Sequence, residues 1–205
     1  MHLRTPTSPT LLHRLLGSYH LFHYASYLHQ EGIEHEYLTE RELEQRRGDT
    51  FIDNKSIIGK RRPDALIVET TEHGREAIWI EVERGYKIFQ RFEEQLSSLI
   101  PMIDKNIAPY QMPRLMLREI HYVADPDVVD LIHLGASIRK VAKARNRENL
   151  LDRIMVFRAS IKRPYWVEHL SGLVASGIPE SIPDAAYFES ADQALEQEFN
   201  TGFFI

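Results

Sequence analysis

The chain contains no cysteine among its 205 residues, which excludes disulfides and zinc sites built from thiolates. It has no run of about 18 apolar residues, so no membrane-spanning helix is expected. The first ten residues, MHLRTPTSPT, lack the apolar segment of a secretory signal peptide. A net charge of −5 is not that of a general polyanion-binding protein, although it leaves room for a local basic surface. These absences predict a soluble, cytoplasmic protein.

Three common catalytic signatures are also missing. The sequence contains no glycine-rich dinucleotide fingerprint, no phosphate-binding P-loop and no serine nucleophile elbow. Its content of 43% hydrophobic and 27% charged residues is that of a globular protein. We predict a short lead-in over residues 1–9 and a single domain over 10–205, with a C-terminal extension from about residue 161.

Hydrophobic spacing predicts a mixed α/β fold, with a central β-sheet flanked by helices. Asp125 is the expected N-cap of a long helix that begins at Pro126. The region 101–113 contains three prolines and is expected to be rich in loops. The other predicted elements are helices at 10–31, 41–47, 88–100 and 190–199, and strands at 33–40, 65–69, 77–83, 114–124 and 154–160.

The stretch 60–100 organises the prediction, because it reads as strand, turn, strand and helix. Side chains alternate along a strand, so Glu81 and Glu83 point to one face, roughly 7 Å apart. Asp64 opens the preceding strand and comes close to these carboxylates if the two strands pair as a hairpin. Carboxylates on adjacent strands suit Mg²⁺ or Mn²⁺ and leave an open side for a phosphate. Asp64, Glu81 and Glu83 are therefore predicted metal ligands; the alternative is a solvated face on an edge strand.

Further charged side chains follow or precede this hairpin. Glu40 is a possible fourth carboxylate. Lys87, Arg84 and Arg91 are placed to neutralise charge that develops on a phosphate during cleavage. Lys87 and Arg91 also fit the alternative of a helix face exposed to solvent.

Histidines are concentrated in the first helix. His13 and His20 share a helix face, and His20 and His23 are neighbours at i and i+3. Such pairs can bind metal, and they fit equally well on the surface of an aromatic-rich helix. Of the three, His13 and His20 are the better candidates for a supporting role in catalysis or proton transfer.

In combination, these motifs resemble the PD-(D/E)XK restriction-endonuclease-like superfamily. More narrowly, they resemble the replication-relaxation group, which includes the MobC-type relaxases of mobilisable plasmids. The resemblance covers roughly residues 10–125 and implies an α-β-β-β-α-β core. Its carrying residues are His13, YLTERE at 37–42, RPDA at 62–65 and IEVERG at 80–85.

The resemblance implies a metal-dependent endonuclease that nicks DNA at a plasmid transfer origin. Asp64 and Glu81 would hold the metal, and Glu40 would match an acidic residue of the family's first motif. Glu83 stands where the superfamily has lysine, a departure that leaves Lys87 or a second metal-binding carboxylate to fill that role. Relatives often carry a winged-helix domain before this core, so the chain is expected to be an isolated catalytic part or to recruit accessory or coupling proteins.

The first functional hypothesis is therefore a Mg²⁺- or Mn²⁺-dependent DNA relaxase. The second is a catalytically silent nuclease-like protein that binds DNA or a replication protein. A restriction nuclease, which cuts both strands, is a third. The basic helix end at 139–147 either binds DNA or compensates the helix dipole. The predicted DNA-binding residues are Lys60, Arg61, Arg62, Arg84, Arg91, Arg139, Lys140 and Lys143.

Overall fold

A computed structural model describes residues 9–45, 63–84, 89–104, 115–160, 162–170 and 172–176. The helices are α1 (Pro9–Gln30), α2 (Glu40–Gln45), α3 (Phe89–Asp104), α4 (Leu131–Ala144) and α5 (Leu173–Ser176), with a 3₁₀-helix at Glu148–Arg153. The strands are β1 (His35–Thr39), β2 (Ala65–Thr71), β3 (Gly74–Glu83), β4 (Leu115–Ala124), β5 (Ile154–Ser160) and β6 (Arg163–His169).

The six strands form one mixed sheet in the order β1-β2-β3-β4-β5-β6. The first three strands form an antiparallel meander. β4 and β5 then join in parallel, and β6 pairs antiparallel with β5. The parallel pairs follow long connections that contain α3 and α4, as parallel pairing requires. The predicted mixed α/β fold with a helix-flanked sheet is confirmed.

Helices cover both faces of the sheet, so the central strand β3 is buried on both sides. Ile80 belongs to the apolar cluster that α1 forms with Leu16 and Leu21. Trp79 belongs to the opposite cluster, which α3 enters through Leu96. This division follows from strand alternation and places the two predicted faces of the 77–83 strand as expected. It also means that side chains from α1 and from α3 reach the sheet from opposite sides.

A β-bulge in β4 interrupts this alternation. Consecutive β3 residues Ala77 and Ile78 pair with Leu117 and Glu119, so Arg118 is an extra residue on β4. The apolar residues that flank the bulge belong to the cluster on the α3 face. Arg118 and Glu119 consequently both project to the α1 face, an arrangement that a regular strand does not allow.

Several predicted boundaries need correction. Asp130, and not Asp125, is the N-cap of α4, because its carboxylate accepts the His133 N–H at 3.0 Å. The stretch from Asp125 to Asp130 forms a turn instead. α3 continues to Asp104, into the region expected to be loop-rich. β6 was not predicted, and the helix expected at 190–199 lies outside the described residues.

Within the described part of the chain, none of the helices is both long and apolar enough to cross a membrane.

Candidate functional site

A cavity of about 300 Å³ lies between the N-terminal half of α1, the β1–α2 junction and the start of β2. His13 and Arg14 enter it from α1, Glu40 from α2 and Asp64 from the residue before β2. Ser18, Thr39 and Arg41 complete its polar lining. The structure thus brings His13, Glu40 and Asp64 together, three residues that were predicted to act at one site.

The Asp64 carboxylate has two partners in this cavity. One oxygen, Oδ1, lies 2.9 Å from Nε2 of His13. The other, Oδ2, accepts the backbone N–H of Val82 at 2.7 Å. Asp64 precedes β2, which begins at Ala65. Its side chain therefore replaces a backbone hydrogen bond that a longer β2 would form with β3. Asp64 therefore joins the end of the hairpin to α1.

Glu40 is held by a second pair between the same elements. Arg14 donates from Nε to Glu40 Oε2 at 2.7 Å. Glu40 is oriented by the start of α2, where the Glu42 carboxylate accepts both the N–H and the hydroxyl of Thr39. This is a capping box, in which a threonine and a glutamate three residues later satisfy the first turn. The capping box at the start of α2 thus orients the Glu40 side chain toward Arg14.

Gly17 allows α1 to approach the sheet closely beside the cavity. A Cβ atom at this position would lie 3.3 Å from Cγ2 of Val82, tighter than an ordinary contact. Val82 is the residue whose N–H binds Asp64. The close approach of α1 at Gly17 therefore brings His13, one turn earlier, within reach of Asp64.

Glu81 lies in a different environment. It is buried, and both carboxylate oxygens accept hydrogen bonds at 2.6 Å, one from Trp79 Nε1 and one from Gln95 Nε2. Gln95 belongs to α3, on the face of the sheet opposite α1. Glu83 is also buried, at the end of β3, two residues along the same strand.

In the structure, the predicted metal ligands are bound by other groups. Asp64 reaches toward α1, whereas Glu81 reaches toward α3, so their carboxylates do not converge. Within the described ranges, no three histidine, aspartate or glutamate side chains are grouped closely enough to hold a metal ion. The donor set Asp64, Glu81 and Glu83 therefore does not fit a divalent cation in this arrangement. The prediction assumed that Asp64, as a hairpin neighbour of Glu81, points to the same face of the sheet. This assumption is wrong.

Of the predicted basic residues whose side chains the structure describes, three lie on α4 and one follows β3. Arg139 donates to the backbone carbonyls of Leu173 and Val174, so it fastens α5 to α4. Lys140 and Lys143 are exposed on α4, and Arg84 is partly buried after β3. Lys60, Arg61, Arg62 and Lys87 lie outside the described residues. Arg91 lies in α3, but its side chain is not described.

A buried polar cluster on the α1 face was missed by the sequence analysis. Arg118 binds both oxygens of Glu69, which is almost fully buried, and also reaches Glu119 at 3.0 Å. Glu119 accepts from His121 Nε2 at 2.9 Å. The signal in the sequence was the charged run Arg118–Glu119 followed by His121 inside an otherwise apolar strand. Because the bulge places Arg118 and Glu119 on one face, alternation alone could not have assembled the cluster.

His20 completes this cluster from α1, away from the cavity. Its Nε2 lies 3.0 Å from Nδ1 of His121, and both side chains are fully buried. The imidazole of His20 also packs on Phe157, with ring centroids 4.3 Å apart. Its other nitrogen, Nδ1, is buried and has no hydrogen-bond partner among the described residues. His20 was predicted to support catalysis beside His13, but the structure places it in a separate, closed environment.

Burial sets the protonation state of this cluster. Desolvation lowers the pKa of His20 well below its usual value, and the neighbouring His121 lowers it further. Burial also lowers the pKa of His121, against the opposing effect of Glu119. Burial works to raise the pKa of Glu119, but the hydrogen bond from His121 and the charge of Arg118 outweigh it and leave that pKa lowered. At neutral pH the cluster therefore contains a carboxylate and two neutral imidazoles.

No protein-family model, curated protein or solved structure matches this chain.

Proposed function

We propose that the protein is a nuclease-like DNA-binding protein that serves plasmid mobilisation or replication initiation as an accessory factor and does not cut DNA itself. The observation that carries this proposal is the environment of Glu81. Its carboxylate is buried and already accepts hydrogen bonds from Trp79 and Gln95, while Asp64 is held on the other side of the sheet by His13. A silent nuclease-like core has no need for these carboxylates to share a cation.

The order of the elements supports a restriction-endonuclease-like core. Apart from the short helix α2 between β1 and β2, the elements from α1 to β4 follow the α-β-β-β-α-β order that the sequence resemblance implies. Asp64 stands at the start of β2, and Glu81 and Glu83 lie at the end of β3. These motif positions support the proposal of a nuclease-like core, and the side-chain contacts of Asp64 and Glu81 support a structural role for the hairpin.

The exposed end of α4 is the part of the described chain best suited to DNA phosphates. Lys140 and Lys143 are both exposed there, and Arg145 is exposed at the C-cap. Their charges also complement the helix dipole, and their exposure places them where a polyanion can reach them. Phosphate contacts of this kind give affinity without sequence preference.

Fluorescence anisotropy with labelled double-stranded and single-stranded DNA tests the binding proposal. We expect binding that weakens as salt rises from about 50 to 200 mM. Lys140→Ala and Lys143→Ala should each weaken binding and lower the salt slope by about one. Lys162→Ala is the matched control, because Lys162 is exposed on a different element and pairs with Asp127. DNA binding that is absent, or unchanged by both α4 substitutions, would contradict the proposal.

A metal-dependent DNA endonuclease of relaxase type is the second candidate. It is favoured by the cavity, where His13, Glu40 and Asp64, three of the predicted catalytic residues, meet. It requires Glu81 to leave Trp79 and Gln95, since the ligand set is otherwise divided between two faces of the sheet.

Two measurements distinguish the candidates. Calorimetry with Mg²⁺ and Mn²⁺ measures cation binding, and incubation with a supercoiled plasmid that carries a transfer origin measures nicking. The accessory-factor proposal predicts neither. If the wild type nicks the plasmid and both Asp64→Asn and Glu81→Gln abolish nicking, the accessory-factor proposal is wrong and the endonuclease is supported. Cleavage of both strands would instead indicate a restriction nuclease.

A further inference from the structure

The hydrogen-bond chain that ends at His20 fixes the direction of every proton in it. The Glu119 carboxylate can only accept, so His121 Nε2 carries a proton and donates it. The Nδ1 atom of neutral His121 is then an acceptor, and His20 Nε2 must donate to it. The remaining atom, His20 Nδ1, holds a lone pair inside the protein and has no partner among the described residues.

This chain of hydrogen bonds links α1 to the sheet. His20 belongs to α1, whereas His121 and Glu119 belong to the central strand β4. Otherwise α1 contacts this face mainly through apolar side chains such as Leu16, Leu21 and Leu28. The two histidines are therefore the fully buried, proton-dependent part of the contact between α1 and the sheet, whereas the polar pairs of His13 with Asp64 and of Arg14 with Glu40 are partly exposed.

We propose that the His20–His121 pair is a pH-sensitive latch that holds α1 on the sheet when both imidazoles are neutral and releases the helix on acidification. A proton taken from solvent onto His20 Nδ1 creates a buried donor without an acceptor, together with a buried positive charge. Both are relieved when α1 lifts and His20 meets water. The proton remains on the imidazole, and no other covalent bond is formed or broken.

The surroundings of the pair do not offer this charge a ready partner. Glu119 is already bound by Arg118 and His121, and Glu69 is bound by Arg118. Glu76 on β3 lies near Arg118, 3.7 Å from its guanidinium. β5 contributes the Phe157 ring, which packs on both imidazoles. The titratable groups that face the pair are His23 and Tyr24 on α1, Glu69 on β2, Arg118 and Glu119 on β4, and His169 on β6.

Release of α1 would also dismantle the cavity. His13 and Arg14 lie on the same helix, and their partners Asp64 and Glu40 lie on other elements. Lifting α1 therefore separates both pairs in one step. The cavity is therefore present at neutral pH and lost on acidification, whatever it binds.

Amide hydrogen exchange on the full chain between about pH 7.5 and 5 tests the latch. After correction for the intrinsic exchange rate, the opening constant of α1 amides should rise about tenfold per pH unit below about pH 6.5, as expected for uptake of one proton. Amides of β3 and β4 should keep their protection. His20→Gln places an amide near the Nε2 position and cannot titrate, so its α1 opening should depend less steeply on pH than that of the wild type, with only His121 and His23 left to titrate there.

His29→Gln is the matched control, because His29 is exposed on the same helix, and it should retain the wild-type slope. A ¹⁵N imidazole spectrum of the wild type adds a measurement that needs no variant: His20 should show an unprotonated Nδ1 at about pH 7. The latch is excluded if α1 opening in the wild type does not depend on pH. It is also excluded if His20→Gln keeps the slope, if β3 opens together with α1, or if His20 Nδ1 is protonated at neutral pH.

Discussion

The carboxylates of Asp64 and Glu81 lie on neighbouring strands but are bound from opposite sides of the sheet, Asp64 by His13 on α1 and Glu81 by Gln95 on α3. Both oxygens of each carboxylate contact hydrogen-bond donors. Asp64 caps the Val82 N–H at the end of the hairpin, and Glu81 accepts the buried indole N–H of Trp79. In this arrangement both carboxylates stabilise the fold, and that role gives testable consequences.

Glu81→Ala should lower the free energy of unfolding by about 2–4 kcal/mol, because it leaves the buried Trp79 indole and Gln95 amide without their acceptor. Urea denaturation measures the loss. Glu94→Ala, which removes an exposed carboxylate from α3 beside Gln95, should stay within about 0.5 kcal/mol of wild type. A loss no larger than that of the control would show that the Glu81 contacts contribute little.

Arg118→Met should lower the free energy of unfolding by about 3–5 kcal/mol, more than Glu81→Ala, because it leaves the buried Glu69 carboxylate without its partner. The double variant Arg118→Met/Glu69→Leu should recover a large part of the loss, since it removes the stranded charge as well. Arg75→Ala breaks a more exposed pair with Glu36 and should cost no more than about 1 kcal/mol. Thermal and urea unfolding of the four proteins would contradict this view if the double variant were as unstable as the single one.

Global stability should fall as the pH drops below about 6.5. The folded-state pKa of His20 and of His121 lies below the unfolded value, so the unfolded chain binds protons that the folded chain does not. The free energy of unfolding then decreases on acidification, by up to about 1.4 kcal/mol per pH unit for each histidine. Urea titrations at several pH values measure this slope. It should be smaller in His20→Gln and unchanged in His29→Gln.

Gly135→Ala should destabilise the protein by about 1–3 kcal/mol despite the better helix propensity of alanine. A Cβ at Gly135 would lie 3.0 Å from Cγ of Leu173 and 3.1 Å from its backbone oxygen, which cannot move away easily. Gly17→Ala is the comparison, since its new Cβ meets only a side-chain methyl of Val82 at 3.3 Å. We expect Gly17→Ala to remain within about 1 kcal/mol of wild type by thermal unfolding.

The sequence predicted the strand-turn-strand-helix unit around 60–100 because its signals are local. Alternation placed the side chains of β3 on the faces that they occupy, and the turn at His73–Gly74 joins the two strands as expected. The sequence also selected His13, Glu40 and Asp64, which meet in one cavity. β6 was missed because it contains Pro164, and a proline within a run argues against a strand, although an edge strand such as β6 tolerates it.

The composition and the spacing of apolar residues determined the class of fold, since a helix or strand with an apolar face must bury it. Only the tertiary structure decided which charged groups meet. Asp64 lies just outside the regular ladder, and Arg118 is the extra residue of a bulge, so neither obeys the alternation that a sequence displays. For this reason the predicted carboxylate site is divided between two faces, and the cluster around Arg118, His121 and His20 became visible only in three dimensions.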